Sequence, residues 1–244
     1  MVSEMDDYLF DLRGYIVLKQ AVSEEDVAQL NACVDRLIED EEQKRFAGYE
    51  QFGQLLSNVV EAGEPFERLI DHPSWSEHLQ RYIGIDQPVF NTSGVIVRAQ
   101  GQASKLHSGA HKRRINTQFR YHNGEFRCGQ INVIVALNKV GPGDGGTMIV
   151  SGSHKSNLIH PAFASSEATP GGSLDKVEGT VEVLMDSGDA LLFVDCAAHG
   201  SGKRVNPGVR RAVLCGYGPK WQTYRPSEEL VGRLTQEQLD FMNE

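Results

Sequence analysis

The sequence lacks the long apolar runs, paired cysteines and excess of basic residues that mark membrane, secreted and nucleic-acid-binding proteins. Its 244 residues include no run of about 18 apolar residues, the length that a membrane-spanning helix needs. Only four cysteines occur, at positions 33, 128, 196 and 215, and no two of them have the CxxC spacing. Positive charge is scarce as well, because 24 Lys and Arg stand against 33 Asp and Glu, for a formal net charge of −9.

These absences exclude several classes of protein. We expect no transmembrane segment, no disulfide framework and no binding to nucleic acid or to an anionic membrane. The acidic residues 1–7 lack the apolar segment of a signal peptide, so we expect none. The cysteines lie mostly in apolar surroundings, which predicts free, buried thiols in a reducing compartment. The sequence therefore predicts a cytoplasmic protein.

Residues 1–87 have a mainly helical pattern. Apolar residues at helical spacing follow Ser23, which predicts a capped helix with one buried face. A short strand is predicted over 14–18, and a second helix over about 74–83. The polar, glycine-containing stretch 46–65 indicates a surface loop.

The pattern changes near residue 88 from helical spacing to short β-rich runs. Clusters of Gly and Pro separate the runs, which is typical of the antiparallel strands of a sandwich or barrel. Strands and helices do not alternate after this point, so a doubly wound parallel sheet is disfavoured. We predict a single domain over 1–244, with the helices of 1–87 packed on a β core over 88–218 and a helical tail over 219–244. The predicted strands of the core are 89–97, 126–137, 147–150, 180–184, 190–194 and 211–217.

Two histidines and one arginine at the edges of predicted strands form a pattern with chemical meaning. Neutral imidazoles such as His107 and His199 are suitable ligands for Fe(II) in a site that keeps coordination positions open. Arg210 follows His199 by eleven residues and opens another apolar strand. Its planar guanidinium matches the far carboxylate of a bound 2-oxo acid, and the Ser201 hydroxyl could join it. Each residue alone has an ordinary structural explanation, so their order along the chain carries the prediction.

The distal part of this pattern resembles the phytanoyl-CoA dioxygenase family. That family pairs a His-x-Asp motif with a distal His-Gly-Ser-Gly and a following Arg, and this chain has His-Gly-Ser-Gly at 199–202 and then Arg210. Gly-Asp-Gly-Gly-Thr at 143–147 and Ser-Gly-Ser-His-Lys at 151–155 are also similar to family segments, and the resemblance covers roughly residues 8–220. It implies a mainly β fold with flanking helices, namely a jelly-roll barrel or double-stranded β-helix like that of cupins. It also implies Fe(II) and 2-oxoglutarate as cofactors.

The proximal motif departs from the family pattern. Gly109 stands where the resemblance implies an iron-binding carboxylate, two residues after His107. Related iron-dependent halogenases have Gly or Ala at this place, and a halide fills the vacant coordination position. Two outcomes therefore stay open for an enzyme that uses O2 on an aliphatic C–H of a small molecule, namely halogenation with bound chloride and hydroxylation.

Several other polar residues have alternative roles. Asp195 is expected to hold the second ring nitrogen of His199, with an exposed position or direct iron ligation as alternatives. His111 is a possible third imidazole, although a solvated loop residue is favoured, and His154 is predicted to belong to a structural turn. Asn132 interrupts an apolar strand, so it contacts either 2-oxoglutarate, the substrate or a neighbouring strand.

The basic cluster at 112–114, with Arg120 and Tyr121, follows the proximal motif in a predicted loop at the barrel mouth. Loops in such places commonly select the substrate, so an anionic substrate is one expectation. Charge runs are usually just solvated, which is the alternative.

A different class of function is a catalytically silent barrel that binds a small ligand and has lost the metal carboxylate. The combination of His199, Ser201 and Arg210 favours an enzyme, because nothing requires all three residues without a cofactor. A cupin-type isomerase or sugar-binding barrel is disfavoured, since its clustered His and Glu ligands near a Gly-rich first motif are not found. A charge-transfer absorption from Fe(II) and 2-oxoglutarate without O2 would separate these classes.

Overall fold

Helices flank two antiparallel sheets and a small hairpin in the computed structural model. It describes residues 2–39, 47–50, 53–84, 87–104, 106–110, 118–161, 177–222 and 224–242. The helices are α1 (Glu4–Arg13), α2 (Glu24–Glu39), α3 (Glu64–Glu67), α4 (Pro73–Ile83), α5 (Glu228–Val231) and α6 (Gln236–Met242). The strands are β1 (Tyr15–Leu18), β2 (Ala47–Glu50), β3 (Gly53–Ser57), β4 (Val89–Arg98), β5 (Tyr121–His122), β6 (Glu125–Phe126), β7 (Ile131–Ala136), β8 (Thr147–Val150), β9 (Thr180–Val183), β10 (Ala190–Val194), β11 (His199–Ser201) and β12 (Arg210–Gly218).

The two sheets form the sandwich that the turn-punctuated strands predict. The large sheet has seven strands in the order β1-β10-β7-β12-β4-β3-β2, and the small sheet has the order β11-β8-β9. The ring of Phe193 on the large sheet lies 4.7 Å from the ring of His199 on the small sheet, centroid to centroid. The inner faces of the sheets therefore meet, and the predicted jelly-roll fold is confirmed.

The outer face of the large sheet is covered by helices. On β12 the Tyr217 hydroxyl donates to the carbonyl oxygen of Leu69 at 2.6 Å and accepts from Trp75 Nε1 at 3.0 Å. Because side chains alternate along a strand, Arg211 lies on this same outer face, while Arg210 points to the interior of the barrel. The alternation thus separates a packed outer face from a more polar inner one.

The helices at the N-terminus are fixed by side-chain caps. Ser23 accepts from the amide of Asp26 at 3.1 Å, which confirms the predicted start of α2. Helix α1 was not expected, because its sequence is polar and it buries only Phe10. A reciprocal capping box between Ser3 and Asp6 begins it. Among the described residues no helix is both long and apolar enough to cross a membrane.

The prediction of a surface loop over 46–65 is wrong. Strands β2 and β3 lie in this stretch and extend the large sheet beyond β4, and a 3-10 helix, Val59–Ala62, follows them. The strands were missed because edge strands tolerate polar residues, so their sequence carries no clear alternation. The single strand predicted over 126–137 is also wrong. Strand β6 ends at Phe126 and strand β7 begins at Ile131.

Candidate active site

His107 and His199 lie side by side at the edge of the small sheet. The amide of each residue donates to the carbonyl oxygen of the other, at 2.9 Å and 3.1 Å. Their ring centroids are 4.1 Å apart and the rings are tilted by 59°. The fold therefore brings together two imidazoles from distant parts of the sequence, close enough for a single metal ion to contact both.

The environment of His199 defines its protonation and its tautomer. Burial, reinforced by the neighbouring His107 ring, lowers the pKa of His199 to about 3, so the imidazole is neutral near pH 7. Nδ1 lies 2.8 Å from the carbonyl oxygen of Ala197. A carbonyl can only accept, so we assign the proton to Nδ1, which leaves Nε2 as the nitrogen able to bind a metal.

The backbone of the proximal motif turns sharply after His107. Ser108 has a φ of +64° and Gly109 a φ of +112°, and side-chain-bearing residues rarely adopt the second value. Gly109 supplies no ligand atom from a side chain. Among the described residues no three His, Cys, Asp or Glu side chains are grouped so that they could hold a metal ion.

Asp195 is not the hydrogen-bond partner of His199 Nδ1, which lies 2.8 Å from the carbonyl oxygen of Ala197. Its carboxylate instead accepts from Asn132 Nδ2 at 3.0 Å and, more weakly, from the Ser108 hydroxyl at 3.4 Å. Asn132 in turn accepts from Gln130 Nε2 at 3.0 Å. The expected hydrogen bond from His199 goes to Ala197, so Asp195 belongs to a separate polar network that reaches the proximal motif at Ser108.

Arg98 and Arg210 are directly opposite each other on the neighbouring strands β4 and β12. Opposite residues of an antiparallel pair have their side chains on the same face, and these two are only 2% and 3% exposed. Arg210 Nη1 donates to the carbonyl oxygen of Gly145, and Arg98 Nη2 to that of Gln102. Two guanidinium groups thus share one region of the inner face, which is suited to a carboxylate.

Hydroxyl groups of the small sheet extend from the histidines towards this cationic region. Ser201 lies two residues after His199 on β11, so their side chains lie on the same face of the strand. The two residues are about 6.6 Å apart along the strand. Thr147, which is buried, is opposite Ser201 on β8. The carbonyl group that contacts Arg210 belongs to Gly145, two residues before Thr147. Ser201 thus shares a strand face with His199 and is opposite Thr147, and its assistance to Arg210 stays a prediction.

A cavity of about 450 Å³ borders the proximal motif at Gly109. Apolar residues form much of its wall, and Leu158 and Ile159 at its rim are 80% and 51% exposed. No Lys, Arg, Asp or Glu side chain lines it among the described residues. Its lining residues are Gly109, Val150, Ser151, Gly152, Ser153, Ser156, Leu158, Ile159, His160, Pro161 and Ala198.

The remaining candidates lie elsewhere or outside the described residues. His154 is buried in a 3-10 helix, Ser153–Lys155, and Nε2 lies 3.0 Å from the carbonyl oxygen of Asp11. This placement fits the predicted structural turn. Arg120 and Tyr121 line a separate surface groove. His111 and the basic cluster at 112–114 fall outside the described residues.

Two residues near the predicted site, Arg98 and Thr147, were not predicted from the sequence. Arg98 ends an apolar strand in the same way as Arg210 begins one, which is a usable signal only when the strand register is known. Thr147 has no distinguishing sequence signal, because Thr is common in strands.

The comparison with known sequences identifies relatives along most of the chain. The sequence model of the family described as phytanoyl-CoA dioxygenase (PhyH) matches residues 10–212. The peroxisomal phytanoyl-CoA dioxygenase of Rattus norvegicus is 23% identical over 227 residues, which cover 86% of this chain and 66% of the rat protein. The dioxygenase cdmD of Talaromyces verruculosus is 28% identical over 91 residues, which cover 36% of this chain and 26% of the fungal protein. The chain thus spans just under two thirds of one relative and about a quarter of the other.

Solved structures share the fold at low sequence identity. HygX from Streptomyces hygroscopicus, with nickel and 2-oxoglutarate bound, has a TM-score of 0.80 and 20% identity, with 94% of each chain covered. The non-haem alpha-ketoglutarate-dependent epimerase SnoN from nogalamycin biosynthesis has a TM-score of 0.65 and 17% identity, with 91% of this chain and 86% of SnoN covered.

Proposed function

The chain belongs to the phytanoyl-CoA dioxygenase family, and on that premise we propose that it is a non-haem Fe(II)- and 2-oxoglutarate-dependent oxidoreductase. It acts with O2 on an aliphatic C–H bond of a small molecule. The observation that carries the proposal is the combination of a histidine pair on the small sheet with a buried arginine pair on the facing large sheet. The first suits a metal, and the second suits the far carboxylate of a 2-oxo acid.

The side chains fit both groups. His107 and His199 hold Fe(II), and His199 is already in the neutral form that a metal requires. Arg210 anchors the far carboxylate of 2-oxoglutarate, with Arg98 and the Ser201 hydroxyl beside it. When bound, Fe(II) and 2-oxoglutarate together activate O2 for the oxidation of an unactivated C–H bond. The chain contributes the fixed tautomer of His199, the cationic region and the shape of the cavity.

The cavity beside Gly109 is the place we assign to the substrate. Its described lining carries no charged carboxylate, ammonium or guanidinium group, and Val150, Leu158 and Ile159 make part of it apolar. The portion of the substrate that approaches the histidines is therefore uncharged. HygX, a structural neighbour, has been crystallised with hygromycin B bound, which supports a small-molecule substrate for this fold.

Hydroxylation and halogenation are the two outcomes that this site allows. Gly109 favours halogenation, because it leaves a coordination position that chloride can take. Water in that position gives an ordinary oxygenase. The choice between water and chloride depends on the charge around the site.

The test is an anaerobic titration of the protein with Fe(II) and 2-oxoglutarate, followed by visible absorption spectroscopy. We expect a charge-transfer band that requires both components and that is lost in His199→Ala. His122→Ala is the matched control, because His122 is exposed on β5 and should keep the band. Admission of O2 should then convert 2-oxoglutarate to succinate. Absence of the band in the wild-type protein would contradict the proposal.

A catalytically silent binding protein is the alternative, which is favoured because the described residues include no group of three side chains able to hold a metal. It would give the same band without O2, but no succinate with any substrate candidate. The two readouts of the titration therefore separate an enzyme from a binding protein.

A reducing compartment such as the cytoplasm is the location that suits the cysteines. All four are buried and free. Burial raises the pKa of the Cys215 thiol to about 12 and that of Cys196 to about 12, so neither forms a reactive thiolate near neutral pH.

A further inference from the structure

Asp195 places a carboxylate close to the proximal motif, although the motif itself has lost one. Asp195 directly follows β10, and its carboxylate contacts Asn132, which is opposite Phe193 on the inner face of the large sheet. Its carboxylate accepts from Ser108, the residue between His107 and Gly109, at 3.4 Å. The carboxylate of Asp195 thus contacts the turn that contains Gly109.

Three hydrogen bonds hold Asp195 in this place. Its amide donates to the carbonyl oxygen of Gln130 at 2.9 Å, and its carboxylate accepts from Asn132 at 3.0 Å as well as from Ser108. Gln130 also donates to Asn132, which fixes the amide orientation of the latter. The carboxylate is therefore oriented by the large sheet, and within the part of the chain that the structure describes it is not one of a group of three side chains able to hold a metal.

The net charge at the metal depends on which anions lie around it. In a site with two histidines and one carboxylate ligand, the dication, the dianionic 2-oxoglutarate and the carboxylate leave one net negative charge. A site with two neutral histidines alone is uncharged, and a bound chloride restores the single negative charge. Here Asp195 already supplies that charge from outside the coordination shell, so chloride would add a second negative charge beside the first.

We propose that Asp195 is a positioning residue that determines the outcome of the reaction, because it disfavours halide at the position left open by Gly109 and favours water there. The inference rests on the proposed function and refines it towards oxygen transfer. Asp195 also orients the proximal turn through Ser108. Like charges in a partly buried site repel strongly enough to weaken halide binding at least about tenfold, after allowance for the partial exposure of Asp195.

The experiment is a chloride and bromide titration of the cobalt(II) protein with bound 2-oxoglutarate, monitored by its visible spectrum. The d–d bands of cobalt(II) report changes in its ligands. Asp195→Asn removes the charge and keeps the size of the side chain. We expect it to bind halide at least about tenfold more tightly than the wild-type protein, with the 2-oxoglutarate affinity unchanged.

Three matched variants isolate the charge from other effects. Asp186→Asn removes a carboxylate that is 65% exposed and should leave halide binding as in the wild type. Asp195→Glu keeps the charge and should restore the exclusion of halide. Ser108→Ala removes one hydrogen bond and keeps the charge, so it too should exclude halide.

Equal halide affinity in the wild type and Asp195→Asn would overturn the inference, as would halide binding by Ser108→Ala. Loss of cobalt from a normally folded Asp195→Asn would also overturn it, because Asp195 would then be a metal ligand. These results differ from failure of the proposed function, in which the wild-type protein shows no metal spectrum that depends on 2-oxoglutarate.

Discussion

Two neighbouring arginines on β12 have opposite environments. Arg211 lies on the outer face, where Nη2 contacts the Asp35 carboxylate of α2 at 2.6 Å and the side chain is 22% exposed. Arg210 lies on the inner face, is 3% exposed, and is opposite Arg98 on the next strand. One residue step along a strand thus separates an ordinary ion pair from a buried pair of like charges.

The two faces of the large sheet differ in the partners of their polar groups. On the outer face, polar groups find partners within the protein, as Tyr217 does with Leu69 and Trp75. On the inner face, Arg98 and Arg210 place two guanidinium groups opposite each other, each with a hydrogen bond to a backbone carbonyl. Under the proposed function the far carboxylate of 2-oxoglutarate binds beside them, so we expect substitutions on the inner face to change ligand binding and substitutions on the outer face to change stability.

The largest expected effect comes from Arg210→Ala. The far carboxylate of 2-oxoglutarate would lose a buried partner, so its affinity should fall by roughly a hundredfold or more, about 3 kcal/mol. Isothermal titration of the metal-loaded protein measures this change. Arg210→Lys keeps the charge without the planar fork and should recover only part of the affinity. Unchanged affinity in Arg210→Ala would show that Arg210 does not bind the carboxylate of 2-oxoglutarate.

Tyr217→Phe tests whether the outer face contributes to stability without affecting ligand binding. The substitution leaves the Leu69 carbonyl and the Trp75 N–H without their buried partner, so the free energy of unfolding should fall by about 1–3 kcal/mol. Chemical denaturation measures it, and 2-oxoglutarate affinity should stay as in the wild type. Normal stability with weakened 2-oxoglutarate binding in this variant would show that the two faces do not have these separate roles.

Arg211→Ala should have the smallest effect. Its ion pair with Asp35 is partly solvated, so we expect a loss of stability of at most about 1 kcal/mol and no change in 2-oxoglutarate affinity. The same titration and denaturation experiments apply, with Arg210→Ala as the contrasting variant. A hundredfold loss of affinity in Arg211→Ala would show that the register of β12 is not as described.

The sequence predicts the features whose signals are local. Residues 147–150 and 190–194 have the bounds of β8 and β10, because both are short apolar runs bounded by turn residues. His199, Ser201 and Arg210 are close in sequence, so a short motif suffices to relate them. The roles given to these three residues remain predictions.

Features that depend on strand register could not be predicted. The position of Arg98 opposite Arg210 follows only from the register of β4 and β12. The contacts of Asp195 with Ser108 and Asn132 likewise follow only from the folded structure. These relations join residues that are far apart in the chain. The edge hairpin β2–β3 was missed for a different reason, since its polar sequence does not alternate.

An anaerobic crystal structure with Fe(II), 2-oxoglutarate and chloride would show whether the inner face of the large sheet binds a ligand. We expect iron on His107 and His199, the far carboxylate of 2-oxoglutarate between the guanidinium groups of Arg98 and Arg210, and no chloride beside Gly109. Iron bound elsewhere, or 2-oxoglutarate bound away from both arginines, would contradict the proposed iron and 2-oxoglutarate site.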